Sequence, residues 1–360
     1  MTTALTELLT EFIAFRSVAG DEAAKRECLN WIQGAFLGNA RSTLRHGEVG
    51  GASYLFLAHP KPQLLWFAHI DVVPGTDEQF TLRIEGDRAF GRGVKDMKGA
   101  ALPFLLAYRE ALKEGREPPI SILLTSDEEI AGRSIPTLLE EGILSAPVAF
   151  TPDTGPTIVV EHKGVVWAEL VARGRGTHGA HPWDGENPIP LLAEAIKRLA
   201  AAFPAGSKHE WKMTVSPTEL QGSSARNVVP SEARCSLDIR YPPQICQDPS
   251  EALALVSREL PSGCTLSLIL TADPLRTDPK HPMVQLLKTI AEEVLGEPVP
   301  IGREHGASDA RFFGAHGIPA FLYGPIGGGI HSSEEWVSLS SLAQHLEINR
   351  RLLSSLSSER

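Results

Sequence analysis

Seven residues spread along the chain are of the types that hold metals or move protons: His69, Asp71, Asp96, Glu128, Glu129, Asp153 and His331. Imidazole nitrogens and carboxylate oxygens together suit zinc, and they also suit manganese or cobalt. The residues are too dispersed to form a local metal finger. A folded sheet has to bring them together, and the set has donors enough for two divalent ions. Two such ions side by side activate water against an amide or ester.

The elements that must position these residues are legible as apolar runs. Leu5, Leu8, Leu9 and Phe12 fall on one face and predict a first helix. Segment 64–68, LLWFA, is apolar on both faces, as a central strand requires, and it ends at His69. A strand at 54–57 precedes it. A helix is predicted over 97–113, a strand over 120–126 ending at Asp127-Glu128-Glu129, a short helix after Ser134, and a strand over 147–150 leading to Asp153. This β-α-β-α-β order predicts an α/β catalytic domain, a mainly parallel sheet flanked by helices. The candidate ligands then fall beyond the C-terminal ends of the strands, where open α/β sheets bind ligands.

After Lys163 the order changes. Strands at 165–172, 213–220, 232–241 and 265–270 alternate with helices at 188–203 and 251–260, which predicts an inserted α+β domain with an antiparallel sheet. Segment 272–282 holds three prolines and reads as a linker. The α/β pattern resumes at Met283, with a strand at 320–323 and a closing helix from Ser340. The expected division is 1–163, 164–274 and 275–360, with the outer two segments forming one interrupted domain.

Composition limits the partners. The 360 residues are 42% hydrophobic and 22% charged, ordinary for a globular protein, and the net charge of −10 argues against nucleic acid. No apolar run approaches the roughly 20 residues of a membrane span. The N-terminal MTTALTELLTEF carries acids where a secretory leader carries basic residues, and Cys28, Cys235, Cys246 and Cys264 form no CxxC pair. A reduced, cytoplasmic location is expected.

Each candidate also has a plainer role: Asp96 as a helix cap, Asp153 as a turn former, Glu128 and Glu129 on a surface turn, His331 as a loop histidine. In the chemical reading His69 and Asp71 share one side of an extended segment, so Asp71 can accept from the second imidazole nitrogen. Glu128 and Glu129 point apart if extended, one to bind metal and the other to act as general base. A dinucleotide site is excluded because the glycines at 91, 93 and 99 do not match GxGxxG and no strand is predicted just before them.

The motifs HIDVVP at His69, GRGVKDMKG around Asp96 and DEE around Glu128 resemble the M20 metallopeptidase family, which includes desuccinylases, deacetylases, aminoacylases and carboxypeptidases. The resemblance continues through GRGTHGAHPWDGENPI, ARNVVP, GASDARF and IHSSEEWV and so covers nearly the whole chain in order. It implies that His69 and Asp153 hold one zinc, Glu129 and His331 the other, and that Asp96 bridges both. It implies Asp71 as the group orienting His69 and Glu128 as the general base. It also implies that His178 reaches a partner subunit's site, that Asn227 and Arg240 bind substrate carboxylate or oxyanion, and that the inserted domain is a dimerisation domain. Many deacylases of the family carry Glu where Asp153 stands, and several dipeptidases carry Asp.

The expected function is a hydrolase with two divalent ions, Zn2+ or in its place Co2+ or Mn2+. It cleaves an amide in N-acyl amino acids or short peptides bearing a free carboxylate. A dipeptidase or carboxypeptidase of the same family is the nearest alternative. A non-catalytic metal carrier is disfavoured, because it has no use for Glu128.

Overall fold

The structure, a computed structural model, describes residues 3–223 and 225–356. They form two compact units, one from Met1–Val160, Thr277–Arg303 and Ser308–Arg360, the other from Glu161–Arg276 and Glu304–Ala307.

The first unit is organised by Leu64–His69 and Ile120–Thr125, buried at every position. Strands with no polar face need neighbours on both sides and helices above and below. They pair in parallel with each other, Leu64–His69 pairs in parallel with Ala149–Thr151, and that strand pairs in parallel with Ala320–Leu322. The margins are antiparallel. A hairpin of Thr43–Val49 and Ala52–Ala58 joins at Ile120–Thr125, and Ile158–His162 joins at Ala320–Leu322. The hairpin turns on Gly50 and Gly51, both at positive φ, as a tight two-residue turn demands.

Helix Lys98–Lys113 covers the sheet and is buried along most of its length. Trp66 of the central strand stacks on its Phe104 at 4.2 Å. Helices Thr3–Ala14 and Leu339–Ser355 pack against it in turn. A second, small antiparallel sheet joins Gly327–Gly328, Trp336–Ser338, Arg88–Phe90 and Arg83–Glu85. It corrects the expectation that no strand directly precedes Gly91, since Arg88–Phe90 does. The strand is three residues long, too short to show alternation, and it is held by antiparallel pairing rather than inside a βαβ unit.

The second unit is a four-stranded antiparallel sheet ordered Thr214–Gln221, Glu232–Tyr241, Gly164–Arg173, Cys264–Ala272. Glu232–Tyr241 alternates strictly, burying Ala233, Cys235, Leu237, Ile239 and Tyr241. Helices Pro188–Ala202 and Pro249–Arg258 supply Leu192, Leu199, Ala252 and Val256 to the same core. The segment read as a linker contains a short strand, Leu275–Arg276, paired with Glu161 and His162. Its prolines flank that strand rather than interrupt it.

His345, on the closing helix, is 5% exposed and packs its ring 4.8 Å from Tyr323. Burial, then the nearby Lys95 charge, lowers its pKa to about 3. The unfolded chain therefore binds a proton here that the folded chain refuses, between about pH 6.5 and 3. The associated stability is complete above that window and is lost as pH falls, approaching about 1.4 kcal/mol per pH unit inside it. Urea unfolding at pH 7 and pH 5 should show wild type losing more stability than His345→Leu. Equal losses would refute a neutral buried imidazole.

Candidate metal centre

Parallel pairing puts the C-terminal ends of the central strands at one edge. His69 is opposite Thr125, so residues 127–129 follow the next strand at the same level. Ala149–Thr151 ends two residues before Asp153. Glu128–Ile130 is a single 3-10 turn and not extended. Successive residues there are rotated by about 120°, so the two glutamates still face different ways.

Asp96 is not a helix cap. The cap position of Lys98–Lys113 is Met97, and no side chain caps it. The Asp96 carboxylate instead lies between two imidazoles, Oδ1 at 3.1 Å from His69 Nε2 and Oδ2 at 3.2 Å from His331 Nε2. His331 Nε2 is also 3.0 Å from Glu129 Oε2. Ligand atoms of His69, Asp96 and Asp153 lie within 4.8 Å of one another, and so do those of Asp96, Glu129 and His331. Asp96 belongs to both groups. His331 reaches this place from a left-handed backbone, φ 63°, in the loop after Ile330.

His69 Nδ1 bonds to the backbone carbonyl of Asp71 at 3.0 Å, with the Asp71 carboxylate 3.5 Å away. That carboxylate is used differently, accepting the backbone N–H of Glu129 at 2.9 Å. Asp71 thus ties the His69 strand end to the glutamate turn. This division of labour between main chain and side chain is not legible from a HxD spacing.

The electrostatics call for cations. Burial raises the Asp153 carboxyl well above the usual range, and the Asp96 and Glu128 charges raise it further. Burial likewise raises Glu128, and it takes Glu129 to about 7. Burial acts to lower His69, but hydrogen bonds to Asp71 and Asp96 prevail and hold it well above 6.5. The Asp96 bond, with Glu129 nearby, lifts His331 to about 9. The imidazoles hold protons because carboxylates outnumber them. Divalent ions would supply the same compensation and release those protons. Buried Oε1 of Glu129 has no hydrogen-bond partner, as expected of an oxygen reserved for a ligand. The residues fit a metal pair.

Two further residues matter here and were not anticipated. Glu335, 1% exposed, accepts from Arg92 Nη1 (2.8 Å) and from the backbone N–H groups of Gly93 (3.1 Å), Lys95 (2.9 Å) and Asp96 (3.1 Å). One carboxylate four residues beyond His331 therefore fixes the loop that presents Asp96. In sequence it is the second glutamate of SSEEW and reads as surface. Asp309, 8% exposed, is raised to about 7 by burial and by Glu128. It sits at the start of the short helix Ala310–Ala315.

The remaining expected site residues lie on the second unit. His178 pairs opposite Val228 in a two-stranded ribbon, and the backbone carbonyl of Asn227 accepts the Gly179 N–H at 2.6 Å, so the two residues are neighbours. The His178 ring faces His181 at 5.8 Å. Arg240 is elsewhere on that unit, in a two-point contact with Asp238 at 2.6 and 2.9 Å.

Among the described residues no helix is long and apolar enough to cross a membrane. The chain matches peptidase family M20/M25/M40 over residues 65–355. It is 27% identical over 387 positions to the succinyl-diaminopimelate desuccinylase of Xanthomonas campestris pv. campestris (strain 8004), covering 99% of this chain and 100% of the relative. It is 30% identical to the enzyme of that name from Xanthomonas oryzae pv. oryzae (strain MAFF 311018), covering 97% and 98%. Its fold is similar to that of an M20 family metallo-carboxypeptidase, Sso-CP2 from Sulfolobus solfataricus, with a TM-score of 0.79, 20% identity and 99% of each chain covered. It is also similar to that of aminopeptidase PepT from Bacillus cereus, with a TM-score of 0.80, 19% identity and 98% of each chain covered. The match extends from the first central strand into the closing helix: the chain belongs to peptidase family M20 and is a metal-dependent hydrolase.

Proposed function

We propose that the protein is a dinuclear zinc hydrolase, with His69 and Asp153 on one ion, Glu129 and His331 on the other, and Asp96 shared. The observation that carries this reading is the shared carboxylate: two donor triplets meet in the two oxygens of Asp96. Bound there, two divalent ions polarise the scissile carbonyl and lower the pKa of water towards neutrality. Glu128 takes the water proton and returns it to the leaving amine, a role suited to a carboxyl that burial has raised. Asp71 holds His69 and the Glu129 turn in register. By the family resemblance, His178 stabilises the oxyanion in a partner subunit's site, and Asn227 and Arg240 bind the substrate carboxylate or the oxyanion, a guanidinium fork being suited to a carboxylate.

The substrates in this reading are N-acyl amino acids or short peptides with a free carboxylate. The desuccinylase names of the curated relatives favour the acyl amino acids. Peptides stay as the second reading because Asp153 is the residue several dipeptidases of the resembling family carry. Steady-state assays on an N-acyl amino acid panel and a dipeptide panel separate the two. We further propose a cytoplasmic homodimer joined through residues 164–274. Exposed Leu220, Leu268 and Ile269 on the outer strands of that sheet support this.

Metal analysis of gently purified enzyme should find about two ions per chain. Asp96→Ala should lose most of both, and retention of either at full occupancy would contradict the bridge. Because Glu335 sets the Asp96 loop, Glu335→Gln should weaken metal affinity by about 10–100-fold. Competition with a chelator reads this without an activity assay, and unchanged affinity would remove Glu335 from the account. Glu128→Gln should keep its metal while kcat falls by about 10²–10⁴. Near wild-type turnover would place the base elsewhere.

A further inference from the structure

The two donor groups at the metal centre are not braced equally. His331 Nε2 lies 3.2 Å from Asp96 and 3.0 Å from Glu129, so the members of that group hold one another. His69 is held by Asp96 at 3.1 Å and by the Asp71 carbonyl at 3.0 Å. Asp153 is different. Among the described residues no hydrogen bond or ion pair joins its carboxylate to His69 or Asp96, although all three bring a ligand atom within 4.8 Å of the others. Its place is therefore set by the loop that carries it, residues 152–155.

That loop has a main-chain anchor and a side-chain anchor. Tyr323 and Gly324 donate their backbone N–H groups to the carbonyls of Thr151 and Gly155, each at 3.1 Å. The side-chain anchor is Lys95, whose Nζ donates to the Thr154 carbonyl at 2.6 Å. Lys95 is 4% exposed, and its own backbone N–H is fixed by Glu335 at 2.9 Å. Its stem runs against Gly327, where a Cβ would come within 2.6 Å of Lys95 Cδ. A stem confined in this way has little rotamer freedom left to lose when the ammonium is placed. Lys95 follows Val94 and directly precedes Asp96, so one side chain ties the loop of Asp96 to the loop of Asp153. Its charge also acts on Asp153 and favours the ionised carboxylate. An ammonium repels a bound ion but attracts the carboxylates that hold it, so these two effects oppose each other and the tether decides.

We propose that Lys95 is a positioning residue for the ion held by His69 and Asp153, and not for the ion held by Glu129 and His331. It fixes the spacing between Asp96 and Asp153 on which shared coordination depends. The inference rests on the dinuclear reading above and gives one ion of the pair a support outside its ligand set.

Lys95→Met keeps most of the stem and removes the ammonium. Chelator competition on the metal-loaded full-length chain, with Zn2+ and with Co2+ followed by its visible absorption, should resolve two ions in wild type. The variant should keep one at wild-type affinity and hold the other about 10–100-fold more weakly, the range for losing an outer support of a metal ligand. Lys95→Gln keeps a donor for the Thr154 carbonyl and should show the same selective loss, smaller; it replaces the Met variant if that one does not fold. Asp153→Ala identifies the affected ion, and adding Lys95→Met to it should leave the remaining ion unchanged. Both ions weakened alike would mean a general loosening of the fold and would overturn the proposal. So would both ions held at wild-type affinity or more tightly, the result expected if the ammonium acted by repulsion alone. A single ion in the wild-type chain would instead overturn the dinuclear reading, and the role of Lys95 with it.

Discussion

The first unit is constrained above all by an excess of negative charge in a place poor in water. Asp71, Asp96, Glu128, Glu129, Asp153 and Asp309 gather where the central strands end, and two imidazoles cannot balance them. Carboxylates this close cannot all ionise unless cations join them. The rises at Glu128, Glu129, Asp153 and Asp309, and the protons held on His69 and His331, are one phenomenon seen at six groups. Divalent cations bound among these carboxylates would relieve the same excess.

Holding such a cluster in place requires scaffolding that does not compete for ligand oxygens. Much of it is backbone. The Asp71 carbonyl orients His69, the Asp71 carboxylate seats the Glu129 turn, and Glu335 gathers the N–H groups of the Asp96 loop. The parallel sheet provides the coarse registration, since paired strands end together. Loop hydrogen bonds provide the fine one. Gly329, at φ 68° and with no room for a Cβ beside the Glu334 carbonyl, lets the chain fold back so that His331 and Glu335 serve the same loop from one segment.

The sequence showed the parts of this that depend on hydrophobic runs. Leu64–His69 and Ile120–Thr125 were legible because both faces are buried, and Glu232–Tyr241 because one face is. Helix Glu22–Ile32 was not, because Lys25 occupies its buried stripe between Glu22, which it contacts at 2.8 Å, and Cys28. The three-residue strands of the small sheet were too short to carry a period. The acids were recognisable by type and place, but their partners were not. A buried Glu335 and a main-chain acceptor at Asp71 leave no mark in residue order, because both arise from loop closure.

The central claim is that one carboxylate joins two cation sites. Anomalous diffraction at the zinc edge from crystals of the metal-loaded enzyme measures this directly. The account predicts two peaks about 3.5–4 Å apart with Asp96 between them, His69 and Asp153 on one side and Glu129 and His331 on the other. A single peak at full loading, or two peaks without Asp96 between them, would contradict it.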